Sequence, residues 1–374
     1  MSCKKIFIAA TGQHCGKTTL SLGLFYLARK YYKRVGFIKP VGQEYLPYQG
    51  IDVDKDVAMM AEVYGINEDI QYMSPVLARP GFTKDVVDGK VSITELEKKI
   101  LEADEYLSSK CDFLIIEGTG HGGVGSIFGL SNARVAHLMN APVIILTEGG
   151  IGSAFDKLNL NLALYEKEKA DVRFFMLNKI IKDKRDDALH YIAKAAQPKN
   201  VQVLGGLNFT NILANPSLKD IGHLLGKRIN GNQSDQDRII QAFHIGAAST
   251  HRVIDLLTDA TLLVIPSSRD ELLITLSSLY QIDEYRQKIV GCVVTGKRSF
   301  SNITRRIVQD SRMPYIRVFQ TVDIAFNAIH RHVTKLHASH GEKIAWIHRK
   351  IETMVDWKEI EKQLAKKPRS LTFN

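Results

Sequence analysis

The sequence lacks the features of membrane proteins and of disulfide-rich secreted proteins. No apolar run approaches the ~20 residues that a membrane-spanning helix needs. Only four of the 374 residues are cysteine, and their spacing fits neither a disulfide framework nor a metal site. A strand-like apolar run begins within a few residues of the first methionine, which leaves no room for a signal peptide. We therefore expect a cytoplasmic protein that does not contact a membrane.

The sequence also has no internal repeat, no low-complexity segment and no recognised nucleic-acid-binding module. Its net charge of +10 is spread along the chain, with some concentration between Arg331 and Arg369. We interpret this excess as a solvated basic tail that attracts anions weakly. The spacing of five nearby histidines fits no defined ligand set: His330, His332, His337, His340 and His348. We therefore expect neither a nucleic-acid partner nor a metal site in this region.

The first apolar run leads into the motif that says most about function. Residues 6–10 predict a buried strand, and residues 11–19 then read Thr-Gly-Gln-His-Cys-Gly-Lys-Thr-Thr. A glycine-bearing loop that opens a helix directs backbone N–H groups and the helix dipole at one spot. Lys17 can reach the outer phosphates of a nucleotide there, and the Thr18 hydroxyl can ligate Mg²⁺. The pattern predicts a P-loop, although Thr11 stands where the full motif has glycine.

Short apolar runs alternate with helical patterns, which predicts an α/β fold. The runs in the first part of the chain are residues 6–10, 35–38, 113–116, 143–147, 172–177 and 201–204. This order favours a mostly parallel P-loop sheet with helices on both faces. A turn-prone stretch near residues 207–216 precedes a second, smaller alternating unit. We predict an ATP-binding domain over residues 1–206, a second α/β domain over 216–336 and a helical basic tail over 337–374.

Four polar side chains follow other predicted strands, where an open α/β sheet places its ligand site. They are Lys39, Asp56, Glu117 and Asn178. A Mg²⁺-phosphate site needs carboxylates and hydroxyls, and phosphoryl transfer needs added positive charge. Each residue also has a plain structural explanation, such as a strand-end lysine or an acidic residue at a solvated helix N-terminus. Their ordered appearance behind the predicted P-loop favours one shared site.

Residues 1 to about 205 resemble dethiobiotin synthetase and its relatives, which include the N-terminal region of long bacterial phosphotransacetylases. The resemblance is carried by residues 11–19, Lys39-Pro40-Val41, Asp56, residues 117–120, residues 142–145 and Asn178. It implies ATP and Mg²⁺ as cofactors and a carboxylate that is activated as an acyl phosphate. It also implies catalytic roles for Lys17 and Lys39, metal ligation by Thr18, Asp56 and Glu117, and purine recognition by Asn178. The other implied nucleotide contacts come from the loop: Thr11, Gly12, Gln13, Gly16, Lys17, Thr18 and Thr19.

Two departures from this family concern the second substrate. Val41 follows Lys39-Pro40 where the family has a serine, and residues 121–126 are not the family's sequence. The acceptor is therefore left unidentified. Residues from about 216 to 336 resemble the DRTGG domain more weakly, through order and spacing. The matching stretches are residues 216–218, 245–247, 268–270 and 294–296.

Three functions remain open at this point. The leading hypothesis is Mg-ATP-dependent phosphoryl transfer to a small carboxylic acid by an ATPase-like or ligase-like enzyme. The second is an ATP-binding regulatory or sensor protein whose DRTGG-like domain binds a ligand or mediates assembly. The third, a nucleic-acid-linked ATPase, depends on net charge alone. The expected partner is a small-molecule substrate, and a homodimer stays open.

Overall fold

The computed structural model describes residues 3–332 and 334–366. The chain divides into two compact units. The first unit comprises the described parts of Met1–Phe209 and Leu336–Asn374, and the second is Thr210–Lys335. Among the described residues, no helix combines the length and the apolar character that crossing a membrane requires. Each unit has its own sheet.

The first unit is built on a parallel sheet of six strands. The strands of the whole unit, in chain order, are β1 (Lys4–Ala10), β2 (Val35–Ile38), β3 (Val41–Gly42), β4 (Tyr45–Tyr48), β5 (Ile51–Asp54), β6 (Val76–Leu77), β7 (Phe113–Glu117), β8 (Val143–Glu148), β9 (Val172–Ile180) and β10 (Gln202–Asn208). The main sheet has the order β10-β9-β8-β1-β7-β2, and all its pairings are parallel. β4 and β5 form an antiparallel hairpin, and β3 pairs with β6. The predicted parallel α/β fold is confirmed.

Helices flank this sheet, so its central strands are buried. They are α1 (Lys17–Ala28), α2 (Lys55–Tyr64), α3 (Phe82–Val87), α4 (Ile93–Lys110), α5 (Asn132–Leu138), α6 (Gly152–Lys167) and α7 (Arg185–Ala196). Residues 6–10 of β1 and 113–116 of β7 have no exposed surface, as continuous apolar runs in a covered parallel sheet require. Ser92 caps α4, because its side chain accepts a hydrogen bond from the Glu95 N–H.

The second unit is a smaller mixed sheet with two hydrophobic clusters of its own. Its elements are α8 (Asn211–Ala214), α9 (Leu218–Leu225), β11 (Ile229–Asn230), β12 (Ala242–Ile245), α10 (Thr250–Asp255), β13 (Thr261–Pro266), α11 (Asp270–Leu279), α12 (Asp283–Lys288), β14 (Ile289–Thr295), α13 (Asn302–Ser311), β15 (Tyr315–Arg317) and α14 (Val322–His330). The strand order is β11-β15-β14-β13-β12, and only the pairing of β11 is antiparallel.

The chain then returns to the first unit through α15 (Gly341–Met354) and α16 (Trp357–Leu364). Ile351 packs against Gly23 of α1, where an added Cβ would lie 2.7 Å from the Ile351 side chain. The Trp357 ring lies 5.4 Å from the ring of Phe113 at the start of β7. The segment predicted as a helical tail therefore contributes to the core of the first unit. Residues 367–374 of that predicted tail lie outside the described part of the chain.

His348 makes the packing of α15 depend on pH. Its ring stacks on Tyr26 with centroids 4.2 Å apart, and its Nε2 lies 2.9 Å from the Tyr64 hydroxyl. Burial lowers the pKa of His348, so the folded protein binds this proton more weakly than the unfolded chain does. The neutral ring therefore contributes its full stabilisation above pH ~6.5, which is the pKa of an unfolded histidine. This stabilisation decreases as the pH falls below that value.

We therefore expect the melting temperature of the wild type to fall more steeply than that of His348→Gln between pH ~7.5 and ~5.5. Circular dichroism at a series of pH values measures both slopes. His251→Gln is the matched control, since the His251 side chain is 93% exposed, and it should keep the wild-type slope. Equal slopes for the wild type and His348→Gln would contradict this role of His348.

Candidate functional site

The loop between β1 and α1 leaves the N-terminus of a long helix open to a ligand. Gly16 precedes α1 with a φ of 97°, in the left-handed region, and no side chain caps the helix. An added Cβ at Gly16 would lie 2.0 Å from Nδ2 of Asn178, so only glycine fits this position. The first-turn N–H groups of α1 lack side-chain caps, and such groups bind anions.

Asn178 holds this loop in place from the neighbouring part of the sheet. Its Nδ2 donates to the backbone oxygen of Cys15 at 2.7 Å, and its Oδ1 accepts from the Lys179 N–H at 2.8 Å. Thr11 is tied down separately, since its hydroxyl donates to the Thr147 hydroxyl at 2.9 Å. Both ends of the loop are therefore fixed to strand ends of the parallel sheet.

Lys17 and Thr18 extend from the start of α1 toward β7. The Lys17 ammonium donates to the backbone oxygen of Gly120 at 2.9 Å. Burial lowers the pKa of Lys17, and the nearby Glu117 carboxylate partly offsets this effect. The Thr18 hydroxyl donates to Oε1 of Glu117 at 3.0 Å. The first turn of the helix thus connects the loop directly to the end of β7.

Glu117 is the buried centre of the cluster. It ends β7, is 1% exposed, and accepts a second hydrogen bond from the Ser21 hydroxyl at 2.6 Å. Burial raises the pKa of Glu117 to about 7, and the neighbouring Asp56 carboxylate adds to the increase. A carboxyl group with such a pKa has too little positive charge near it in the protein to offset the cost of its ionisation. The site is therefore electrostatically suited to accept a cation.

Lys39 lies beside two aspartates at the end of β2. Its ammonium is 3.0 Å from Oδ1 of Asp54 and also bonds Oδ2 of Asp56. Burial disfavours the charged lysine, but these carboxylates and Glu117 outweigh burial and raise the pKa of Lys39. In return, Lys39 holds the pKa of Asp56 below its usual value in spite of burial. Lys39 is therefore a fixed positive charge within an acidic cluster.

Asn132 fixes the loop that follows Glu117. Its Nδ2 donates to the backbone oxygens of Thr119 and His121, at 2.6 and 2.7 Å, and its Oδ1 accepts from the Thr119 N–H at 2.9 Å. The Thr119 hydroxyl in addition donates to the backbone oxygen of Val41. These bonds position the Gly120 oxygen, which accepts the hydrogen bond of Lys17.

The structure brings together five of the predicted site residues: Lys17, Thr18, Lys39, Asp56 and Glu117. Thr11, Gly16 and Asn178 shape the adjoining loop, and Gly12 lies in it. Gln13 is exposed, and within the described residues no hydrogen bond joins the side chain of Gln13 or Thr19 to the cluster.

Sequence reasoning missed three residues that shape the site: Ser21, Asp54 and Asn132. Ser21 lies three residues after Thr18, on the same face of α1, and that spacing was the available signal. Asp54 caps α2, because its side chain accepts from the Asp56 N–H at 2.9 Å. Nothing in the sequence links Asn132 to the loop that it holds.

The oxygen atoms of this cluster fit Mg²⁺. Thr18, Asp56 and Glu117 offer one hydroxyl and two carboxylates, and Mg²⁺ combines one or two carboxylates with phosphate oxygens and waters. The raised pKa of Glu117 beside Asp56 shows two carboxyl groups that repel each other. In the described parts of the chain, no group of three or more histidine, cysteine or acidic residues forms a metal cage. The residues therefore suit a cation that arrives with phosphate ligands.

Comparisons with known proteins match the first unit to one family. Residues 4–217 fit the family model AAA_26, described as an AAA domain. The phosphate acetyltransferase of Nitratidesulfovibrio vulgaris is 21% identical over 298 residues, which are 78% of this chain and 41% of that protein. The ATP-dependent dethiobiotin synthetase of Methanocaldococcus jannaschii is 31% identical over 122 residues, or 31% of this chain and 52% of that protein. The chain thus spans about two fifths of the acetyltransferase's length.

One similar solved structure contains the CBS and DRTGG domains of the regulatory region of Clostridium perfringens pyrophosphatase with the activator diadenosine tetraphosphate. The match covers 43% of this chain and 74% of the chain in that structure, at 13% identity and with a TM-score of 0.26. A likeness this low carries no argument about either unit. The family model, in contrast, covers more than half of the chain and every residue of the cluster. With its P-loop between β1 and α1, the chain belongs to the AAA_26 family of AAA domains.

Proposed function

We propose that the first unit binds Mg-ATP and transfers its terminal phosphoryl group to the carboxylate of a small acid. The observation that carries this proposal is the convergence of Lys17, Lys39 and Glu117 at the carboxyl ends of β1, β2 and β7. Open parallel sheets bind ligands at that edge. The family match and the ATP-dependent dethiobiotin synthetase among the relatives support nucleotide use.

The P-loop would bind the phosphates of ATP. The free N–H groups at the start of α1 and the Lys17 ammonium supply hydrogen-bond donors and positive charge. Lys17 exchanges its bond to the Gly120 oxygen for a phosphate oxygen, which costs little because one acceptor replaces another. Thr18, Asp56 and Glu117 would hold Mg²⁺, which when bound neutralises charge on the phosphates.

Lys39 would stabilise the charge that moves during transfer. An acceptor carboxylate oxygen forms a bond to the terminal phosphorus while the bond to the bridging oxygen breaks, and ADP leaves. Negative charge then spreads over the transferred group. Lys39 is protonated at any physiological pH, because its pKa is raised, and its two aspartate partners fix its position. A preorganised charge of this kind acts mainly on the transition state.

The test measures ADP release by the wild type with Mg-ATP, alone and with a panel of mono- and dicarboxylic acids that includes amino acids. We expect at least one acid to raise the rate well above the basal rate. Failure of every acid to do so would overturn the transfer proposal. It would favour the regulatory alternative, in which ATP is bound and sensed.

The regulatory alternative has one observation in its favour. The second unit has its own sheet, and β12 to β15 direct four parallel carboxyl ends to one edge, where such sheets bind ligands. Under this proposal, the DRTGG-like second unit binds a ligand or mediates assembly, and the first unit reports the nucleotide state. The acid panel separates the two proposals, because a sensor needs no acceptor.

Asn178 gives a prediction about nucleotide recognition. Because its amide bonds the loop backbone, we expect Asn178→Ala to weaken the binding of ATP and GTP by a similar factor, of about 3- to 10-fold for the lost hydrogen bond to the Cys15 oxygen. Titration calorimetry with both nucleotides measures this. Asn159→Ala, at an exposed position of α6, is the control. A selective loss of ATP binding would instead support the purine contact implied by the family resemblance.

A further inference from the structure

Two cysteines lie side by side at the end of the sheet away from the P-loop. Cys3 directly precedes β1, and Cys111 lies between α4 and β7. These strands are parallel neighbours in which Lys4 pairs with Phe113. The two sulfur atoms are 3.2 Å apart, and both thiols are free. Sequence spacing could not reveal this pair, since 108 residues separate its members.

The surroundings give the two thiols different chemical properties. Cys111 is buried, and Gly36 leaves room for it, because an added Cβ there would lie 3.1 Å from the Cys111 sulfur. Cys3 is only partly buried and can meet a small reagent from solvent. The hydrogen bond between the two thiols lowers the pKa of Cys3 in spite of partial burial, and the Lys5 ammonium acts in the same direction. Cys3 is therefore the more nucleophilic of the two. Cys111 is the neighbouring thiol that can displace a hydroxyl group from the Cys3 sulfur after oxidation.

The other two cysteines provide an internal comparison. Cys15 and Cys292 are buried, and burial raises the pKa of both thiols. In the described part of the chain, neither has a second thiol at hydrogen-bond distance. An oxidant that acted on exposed or paired thiols would therefore select Cys3 and Cys111.

We propose that Cys3 and Cys111 form a reversible oxidative modification site whose oxidant is a hydroperoxide. The Cys3 thiolate attacks one oxygen of hydrogen peroxide, the O–O bond breaks, and the departing hydroxide takes up the proton that Cys3 released. Cys3 is then a sulfenic acid. The Cys111 sulfur attacks the Cys3 sulfur, the S–O bond breaks, and the Cys111 proton leaves with the hydroxyl as water. Two thiols lose two electrons, and one peroxide becomes two waters.

The geometry needs only a small change for this step. A disulfide has an S–S distance of about 2.05 Å, so the sulfurs approach by roughly 1 Å. The bond would tie the starts of β1 and β7 together, whereas the P-loop and Glu117 lie at the other ends of these strands. We therefore expect the oxidised protein to melt at a higher temperature, because the crosslink closes a long loop of the unfolded chain.

The experiment treats the reduced full-length chain with hydrogen peroxide and then counts free thiols after denaturation. The wild type should go from four thiols to two, and dithiothreitol should restore four. Mass spectrometry of a non-reduced digest should find the Cys3 peptide joined to the Cys111 peptide. Cys292→Ala, the control, should go from three thiols to one, while Cys3→Ser and Cys111→Ser should not form the intramolecular crosslink.

Three results would overturn the proposal. The first is four remaining thiols under conditions that oxidise a reference dithiol. The second is a final product in which Cys3 is a sulfinic acid or is joined to another chain. The third is a crosslink that involves Cys15 or Cys292. The two serine variants act separately, so a folding defect in one of them leaves the test intact.

Discussion

Replacing Glu117 by glutamine is expected to lower ADP release by about a hundredfold or more while most of the affinity for ATP is kept. Removing one preorganised group that stabilises transition-state charge costs ~2.7–4 kcal/mol, which corresponds to that loss in rate. Glutamine keeps the shape of the side chain and can still bond Thr18 and Ser21, so α1 stays in place. In the proposed mechanism, the lost charge would face Mg²⁺, whose role is greatest when the phosphoryl group moves.

Steady-state ADP release and calorimetric titration with Mg-ATP together measure this effect. Glu102→Gln is the matched control, since Glu102 is exposed on α4, where it pairs with Lys98. A loss of affinity with an unchanged rate at saturating Mg-ATP would mean that Glu117 stabilises the ground state and the transition state equally. An unchanged rate together with an unchanged affinity would show that Glu117 takes no part in binding or transfer, whatever acid serves as acceptor.

The parallel sheet was predictable because each strand is a continuous apolar run. Strand β2 was predicted with its observed bounds, residues 35–38. Apolar runs of this kind are typical of a sheet that is covered on both faces. The β4–β5 hairpin was missed, because its residues are mostly half-exposed and lack a clear alternation.

The place of α15 was not predictable from its own sequence. Its spacing of Ile344, Ile347 and Ile351 indicates a buried face. Such spacing does not say what covers that face, and the partner is Gly23 of α1, more than three hundred residues earlier. Local patterns report burial, whereas long-range packing depends on the whole fold.

The site was predictable as far as strand ends could reveal it. Lys39 directly follows β2 and Glu117 ends β7, and the order of such parallel strands brings their ends to one edge. Asn132 could not be foreseen, because it acts through loop backbone that only the folded chain brings to it. The two ion pairs of Lys39, with Asp54 and with Asp56, could not be predicted either. They depend on how the β4–β5 hairpin leads into α2.

The charges of the cluster bear on the ligand that we propose for it. Two ammonium groups, Lys17 and Lys39, face the carboxyl groups of Asp54, Asp56 and Glu117. Burial raises the pKa of Lys39's partner Asp54 as well as that of Glu117, which means that the protein alone does not balance these acids. A divalent cation with a polyphosphate adds positive charge beside the carboxylates and negative charge beside Lys17. Under the proposed function, we therefore expect the site to bind the metal–nucleotide complex more tightly than either component alone.

Lys17→Ala is expected to weaken Mg-ATP binding by about 10- to 100-fold. A hydrogen bond to a charged group contributes ~1.5–3 kcal/mol, and each 1.4 kcal/mol is a factor of ten in affinity. The fold should tolerate the change, because the Lys17 ammonium bonds a loop oxygen and burial already disfavours its charge. Titration calorimetry measures the affinity, and the melting temperature without nucleotide verifies folding. Lys33→Ala, an exposed lysine just after α1, should bind like the wild type. Equal affinity for Lys17→Ala and the wild type would show that the phosphates do not bind at this loop, and the function proposed for the first unit would fall with it.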